Sequence, residues 1–396
     1  MPALRLAMYL DDGLICGGAE RVARRLLSHW VHQGWEVFLV ARASPTHGFF
    51  SLPPGVKGLS LHYSAAADTE LQAGTRRPRS VFSSLPWFAP VRALARLAHE
   101  GYQLRRVLRQ VDPDVAVALL TPANVKLVLA TFGLRCGVVV SERTDTRINR
   151  YPRVWLALRR LLYRYADMVT ANLAASVEDM ARYVPTVRLL YVPNPVECPA
   201  DDALALPRYS RRIISVGRLA PYKRHRMLID MFAAAGDEFD GWELDIVGDG
   251  PMRTDLEQEI AARGLAGRVH LHGERHDVET FYRAGAIFVL PSGVEGTPNV
   301  LLEAMAHALP CVVSDAVTGA LDYMEEGVTG YAFRQDSSAD LADRVRSLVR
   351  APERREAMGI RARELILAKS QDSAFAVWDR VIGLANGSGN GPDAAP

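Results

Sequence analysis

Two successive rounds of short apolar runs and helical stretches, parted by one polar, proline-bearing segment, predict an α/β chain made of two parallel-sheet units. The first round holds Leu4 to Leu10, Glu36 to Ala41, Val115 to Leu120, Gly137 to Glu142, Met168 to Asn172 and Arg188 to Val192. The second holds Arg212 to Gly217, Trp242 to Val247, Val269 to Gly273, Ala286 to Leu290 and Pro310 to Asp315. A third observation agrees: the charged and glycine residues that stand out fall just after the apolar runs, where ligands collect in parallel sheets. The expected division is 1–195 for the first unit, 196–210 for a linker and 211–370 for the second unit. Residues 371–385 read as a helix that crosses back to the first unit, and 386–396 as a disordered tail rich in glycine and proline.

Composition sets limits on function. At 396 residues, 49% hydrophobic and 23% charged, the chain can bury two ordinary cores. Cys16, Cys136, Cys198 and Cys311 lack the spacing of a zinc site or a disulfide framework, which points to a reducing cytoplasm. The N-terminal apolar run is too short for a signal peptide, and no segment reaches the length of a membrane span. The net charge of +2 hides an asymmetry, because residues 1–199 carry 25 Lys and Arg against 15 Asp and Glu. From Arg76 to Arg109 there are eight arginines and one acid, and from Arg143 to Arg164 seven arginines and only Asp145. With Trp87, Phe88 and leucines interleaved, this basic half suits peripheral contact with an anionic membrane, at its inner face, or equally a solvated helix face on its own unit. Nucleic acid has no supporting motif.

The elements follow in order. Leu4 to Leu10 is a strand, Asp11 to Gly18 a loop ending in Gly17 and Gly18, and Val22 to Gln33 an amphipathic helix. Glycines there let backbone amides approach a phosphate at the helix start, or serve only as a tight turn. Most of Arg42 to Pro90 reads as loops. Asp112-Pro-Asp114 matches a metal motif in letters but precedes its strand, so it reads as a turn. In the second unit the first strand ends in Gly217-Arg218 and continues to Lys223. The next strand closes at Gly248-Asp249-Gly250. Arg218 and Lys223 can offset about two negative charges, as a diphosphate requires, and stabilise it as it leaves. Helices over Asp336 to Arg350 and Glu353 to Ala368 complete the unit.

One stretch concentrates these features. Ser292 to Ala306, SGVEGTPNVLLEAMA, carries Glu295 and Glu303 eight positions apart across a strand-to-helix turn. Pro298 reads as the first helical residue, where its missing donor is harmless. Five residues at a rise of about 1.5 Å put Glu303 roughly 7 to 8 Å along the axis, so both carboxylates can reach one extended ligand. The helix N-terminus between them favours an anion, and the carboxylates favour neutral hydroxyls. A sugar joined to phosphate has both. On residues alone the alternative stands beside it: Asn299, Glu303 and His307, spaced by four, form a solvated stripe.

PSGVEGTPNVLLEAMA, supported in family order by GGAERVA, VPNPV, SVGRLAPYK and DIVGDGPMR, resembles the retaining glycosyltransferases of family GT4. The resemblance runs from about residue 4 to residue 385 and implies the GT-B fold, two facing Rossmann-like domains with an interdomain cleft. It implies that Arg218 and Lys223 hold the donor diphosphate, that Glu295 contacts donor-sugar hydroxyls, and that Glu303 binds the nucleotide ribose. Gly17, Gly18, Gly248, Gly250, Gly296, Thr297, Pro298 and Asn299 join them as donor-binding candidates. The stretches PDVAVALLTPAN and VVVSERTD are similar to the subgroup that extends lipid-linked oligosaccharides, which makes Glu142 and Arg143 weaker acceptor candidates. Members of this fold need no bound metal, and no cofactor beyond the donor is expected. Three departures are visible: Ala308 stands where relatives usually have glycine, Ala316 to Gly319 replaces a Gly-Gly pair, and TPAN offers no histidine where many relatives place one near the reacting carbon, so no catalytic base is assigned.

The function expected is transfer of a hexose or N-acetylhexosamine from a nucleotide diphosphate sugar to a lipid-linked or polysaccharide acceptor. A hydrolase or epimerase on the same fold remains open, since paired carboxylates also serve glycosidases. So does a non-catalytic partner subunit that keeps the fold for binding.

Overall fold

The computed structural model describes residues 4–11, 18–42, 51–61, 89–148, 151–200, 210–368 and 371–387. The chain forms two compact units, Met1–Pro193 with Phe375–Pro396, and Asn194–Ala374. Both are parallel α/β sheets with helices on the two faces, the GT-B fold class. Gly17 and most of the expected linker, 201–209, lie outside the described residues, as do Trp87, Phe88 and the tail from 388.

In the first unit, strands β1 (Arg5–Leu10), β2 (Glu36–Ala41), β3 (Lys57–Ser60), β4 (Val115–Leu119), β5 (Gly137–Glu142), β6 (Met168–Ala171) and β7 (Leu189–Tyr191) lie in the order β3-β2-β1-β4-β5-β6-β7. Residues such as VAVAL in β4 are buried throughout because helices cover both faces, which is why the runs are continuously apolar instead of alternating. The helices are α1 (Gly18–His32), α2 (Ala89–Val111), α3 (Thr121–Thr131), α4 (Arg153–Leu162) and α5 (Ala174–Met180). The segment expected to be mostly loop contains β3, an edge strand whose residues are exposed or half-buried. Asp112 and Asp114 sit in the turn before β4, where Asp114 accepts the Arg5 amide at 2.7 Å.

In the second unit, β8 (Arg212–Val216), β9 (Glu243–Val247), β10 (Val269–Leu271), β11 (Ile287–Leu290), β12 (Cys311–Ser314) and β13 (Gly330–Phe333) take the order β10-β9-β8-β11-β12-β13. The sixth strand, β13, was not expected; it pairs with β12 along its full length. Helices α6 (His225–Ala235), α7 (Arg253–Ala262), α8 (Val278–Ala284), α9 (Asn299–Ala306), α10 (Thr318–Leu321), α11 (Ser338–Val349) and α12 (Pro352–Ala368) surround it. The strand order reverses between β8 and β11, so the crevice beyond their carboxyl ends is the switch point where such sheets bind ligands.

The unit boundary falls at residue 194, slightly before the expected linker. Asn194 bonds to Asn299, Val196 packs in the second core, and Pro199 accepts from Arg363, so these residues belong to the second unit. The last helix, α13 (Gln371–Ala385), packs in the core of the first unit. Trp378 meets Trp30 edge-on at 6.0 Å, and Asp379 accepts from His29 at 2.9 Å and Trp30 at 3.2 Å.

Candidate functional site

The strands β8 and β9 end side by side, and their following loops are stitched by backbone bonds. Gly217 N donates to Val247 O, Leu219 N to Asp249 O, and Met252 N to Leu219 O, all at 2.9 to 3.0 Å. Gly248 adopts φ +142°, and a Cβ there would stand 2.1 Å from Gly217 O; at Gly250 it would stand 2.4 Å from Leu219 O. Only glycine permits that approach. Both glycines thus fix the path of the loop that carries Arg218, which is exposed and has no ion-pair partner among the described residues.

Past Arg218, a single turn of 3-10 helix, Pro221–Lys223, aims Lys223 across to the loop after β11. Lys223 Nζ pairs with Glu295 Oε1, which also accepts the Ser292 hydroxyl at 2.8 Å. Gly293 N donates to Tyr222 O at 2.8 Å and ties the same two loops through the backbone. Beneath them His225 is buried; desolvation first, and the Lys223 charge second, push its imidazole down to about 3, so it is neutral in the fold. Arg224 takes a left-handed φ of 54° and donates to Gln335 O at 2.8 Å.

Asn299, Glu303 and His307 are 8%, 6% and 7% exposed, which rules out the solvated stripe. Glu303 accepts from the Tyr282 hydroxyl at 3.2 Å, and His307 Nδ1 donates to Glu303 O at 2.8 Å, its ring lying 5.2 Å from that of Tyr282. Asn194 Nδ2 donates to Asn299 Oδ1 at 2.7 Å and to Thr297 O at 3.4 Å. Gly296, Thr297 and Pro298 are buried beside them. Pro298 is not the first helical residue: its ψ of 107° makes it the N-cap, and its carbonyl accepts from Leu301 at 3.1 Å.

The far end of α9 explains the Ala308 departure. Ala308 N donates to Met305 O and Leu309 N to Ala304 O, a Schellman motif that needs a left-handed residue at position 308. Ala308 adopts it, with φ +58°.

In the first unit, Gly18 is the first residue of α1. Glu142 ends β5 fully buried, accepting from the hydroxyls of Thr121, at 2.7 Å, and Tyr163; burial pushes its carboxyl up. Arg143 is buried under the Trp378 ring, 4.9 Å away, and donates to Val192 O at 3.2 Å. Sequence reasoning missed Ser292, Tyr282 and His225, whose roles depend on contacts between distant segments. Asn194 stood inside the quoted VPNPV, but nothing in that motif pointed to Asn299.

At the switch point of the second sheet, Arg218 and Lys223 stand on the loop after β8, Glu295 on the loop after β11 and Glu303 in the helix that follows it. The chain belongs to the glycosyltransferases: residues 200–365 match the family model for glycosyl transferases group 1, and residues 17–195 that for a glycosyl transferase 4-like domain. It is 25% identical over 248 residues to a GalNAc-alpha-(1->4)-GalNAc-alpha-(1->3)-diNAcBac-PP-undecaprenol alpha-1,4-N-acetyl-D-galactosaminyltransferase of Campylobacter jejuni, covering 62% of this chain and 67% of that protein. It is 34% identical over 174 residues to the alpha-D-kanosaminyltransferase of Streptomyces kanamyceticus, covering 43% and 44%. Several curated relatives are thus matched over about half their length or less. Among solved structures, Anabaena HepE in complex with UDP and glucose superposes with a TM-score of 0.73 at 18% identity, over 96% of this chain and 99% of that one.

Proposed function

We propose that this protein transfers a hexose or N-acetylhexosamine from a nucleotide diphosphate sugar to a lipid-linked or polysaccharide acceptor, with retention at the anomeric carbon. The observation that carries the reading is the convergence of Arg218, Lys223 and Glu295 on two adjacent loops at the switch point. As the bond from the anomeric carbon to the diphosphate oxygen breaks, negative charge grows on the diphosphate, and Arg218 and Lys223 stabilise it. Glu295 takes sugar hydroxyls and Glu303 the ribose hydroxyls, while Gly296, Thr297, Pro298 and Asn299 bring the backbone of the second unit close to the donor. Neutralisation is assigned to side chains, with no metal ion in the scheme. In this reading Glu142 and Arg143, buried at the end of β5, serve the acceptor side.

Three things support the substrate class: the pairing of cations with carboxylates, the UDP and glucose bound by HepE, and the undecaprenol-linked substrate in the name of the Campylobacter relative. The test is a thermal-shift screen of nucleotide sugars followed by a transfer assay with the stabilising donor. The reading expects a glycosylated acceptor, and loss of transfer in Glu303→Ala and Lys223→Ala. Free sugar or an epimerised donor, without acceptor product, overturns it.

A further inference from the structure

Arg224 is a poor residue for the place it holds. It ends the 3-10 turn Pro221–Lys223, its amide bonding to Pro221 O at 3.2 Å, and it is also the N-cap of α6. Between these two segments the chain turns through a left-handed φ of 54° and ψ of 32°, which glycine or asparagine takes with less strain. At an N-cap a side-chain acceptor would bond the first free amides of the helix; a guanidinium has donors only, and α6 starts with no side-chain cap. Two local preferences are violated at one position beside Lys223. Such conflicts persist where the side chain serves something else.

The side chain ties together the loops around the donor-site residues. Nη1 donates to Gln335 O at 2.8 Å in the loop after β13, and Gln335 N donates in turn to Asp315 Oδ1 at 2.9 Å, just past β12. On the way the guanidinium lies against Gly293, where a Cβ would stand 2.8 Å from Nε and 3.0 Å from Cζ. Gly293 N itself donates to Tyr222 O at 2.8 Å, so residue 293 is held between the turn that carries Lys223 and the Arg224 side chain. Glu295 follows two residues later. Asp336 Oδ1 lies 3.6 Å from Nη1, but its side chain is 82% exposed, so that pair adds little.

We propose that Arg224 is a positioning residue for sugar transfer: its guanidinium, packed on Gly293 and anchored to Gln335 O, fixes the loop that carries Glu295 against Lys223. The role rests on the proposed contact of Glu295 with donor-sugar hydroxyls. A nucleoside diphosphate without its sugar does not need it. Breaking of the sugar–phosphate bond does, because a displacement of about 1 Å at the reacting centre costs on the order of a hundredfold in rate.

The test follows thermal unfolding, calorimetric binding of UDP, and the rate of UDP release from the best donor among UDP-glucose, UDP-N-acetylglucosamine and their galactose epimers. Arg224→Ala keeps the left-handed strain and Arg224→Asn relieves it, so the asparagine variant is expected to melt about 2–4 °C above the alanine one. Both are nevertheless expected to lose about a hundredfold in kcat, with the Kd for UDP within about threefold of wild type. Arg224→Lys, which still carries a donor, should fall between them and the wild type. Gly293→Ala pushes the guanidinium aside and should lose rate as Arg224→Ala does. In the Arg224→Ala background, where the room is free, it should cost less in both rate and melting temperature than in the wild type. An asparagine variant with wild-type rate, rates that merely follow melting temperature, UDP affinity that falls as far as the rate, or additive losses in the double variant would each overturn the proposal. A wild type that releases no UDP from any of these donors sinks the donor reading and the use of Arg224 with it, while the melting cycle still reports whether the contact with Gly293 exists.

Discussion

Lys223 and Glu295, 72 positions apart in the chain, form an ion pair at the carboxyl ends of two neighbouring strands. Glu295 therefore offsets the Lys223 charge, and Arg218 is left as the cation with most to offer a diphosphate. Arg218→Ala and Lys223→Ala are each expected to lower kcat for transfer by about 10²- to 10³-fold, the usual loss on removing one group that stabilises developing charge. Steady-state kinetics on both variants checks this. A variant within threefold of wild type contradicts the assigned role.

Tyr282 donates a hydrogen bond to Glu303 and packs its ring in the core. Tyr282→Phe keeps the packing and removes the bond, so donor KM should rise about 2- to 10-fold, matching a bond worth about 0.5–1.5 kcal/mol, with kcat nearly constant. An equal fall in kcat would mean that Tyr282 acts on the reacting carbon instead.

Ala308 holds a left-handed conformation that costs a non-glycine residue about 1–2 kcal/mol. Ala308→Gly removes that strain but adds freedom to the unfolded chain, for a net gain of about 0.5–1 kcal/mol. Chemical denaturation measures it. A loss of stability would show that the alanine methyl packs favourably enough to outweigh its strain.

Much of the fold was legible in the sequence because strands buried on both faces are continuous apolar runs, as IFVL in β11 and VAVAL in β4. The edge strands β3 and β13 escaped, each four residues long; KGLS carries no apolar run, and GYAF is held by close approach of Gly330 to Cys311, which no spacing reports. At the site, the two glutamates and the two cations could be read from local pattern. Their partners could not, because Lys223 reaches Glu295, and Tyr282 reaches Glu303, only through strand order. Gly248 was read as a donor-binding candidate; the structure gives a steric reason for glycine there in the carbonyl of Gly217.

Gly248→Ala tests that reason. Its Cβ would overlap Gly217 O and hold alanine at a φ it rarely adopts, so the variant should lose about 2–4 kcal/mol of stability or shift the Arg218 loop and lose nucleotide binding. Wild-type melting together with wild-type nucleotide binding would contradict the assigned packing.

His225 gives a pH signature. Its folded pKa, about 3, lies below the ordinary value of 6.5, so the neutral form is the one the fold accommodates. The stability it contributes is complete above pH 6.5 and is lost as pH falls towards 3, because the unfolded chain takes up the proton first. His225→Gln should therefore show a shallower fall in stability than wild type across that interval. Parallel curves would contradict the burial argument.

The central claim, that the second unit grips a nucleoside diphosphate between its cations and Glu303, is tested most directly by calorimetric titration of nucleoside diphosphates, UDP first. The account predicts saturable binding of at least one to the wild type, weakened about tenfold or more in Glu303→Ala. Absence of binding by all of them, or equal affinity in the two proteins, would contradict it.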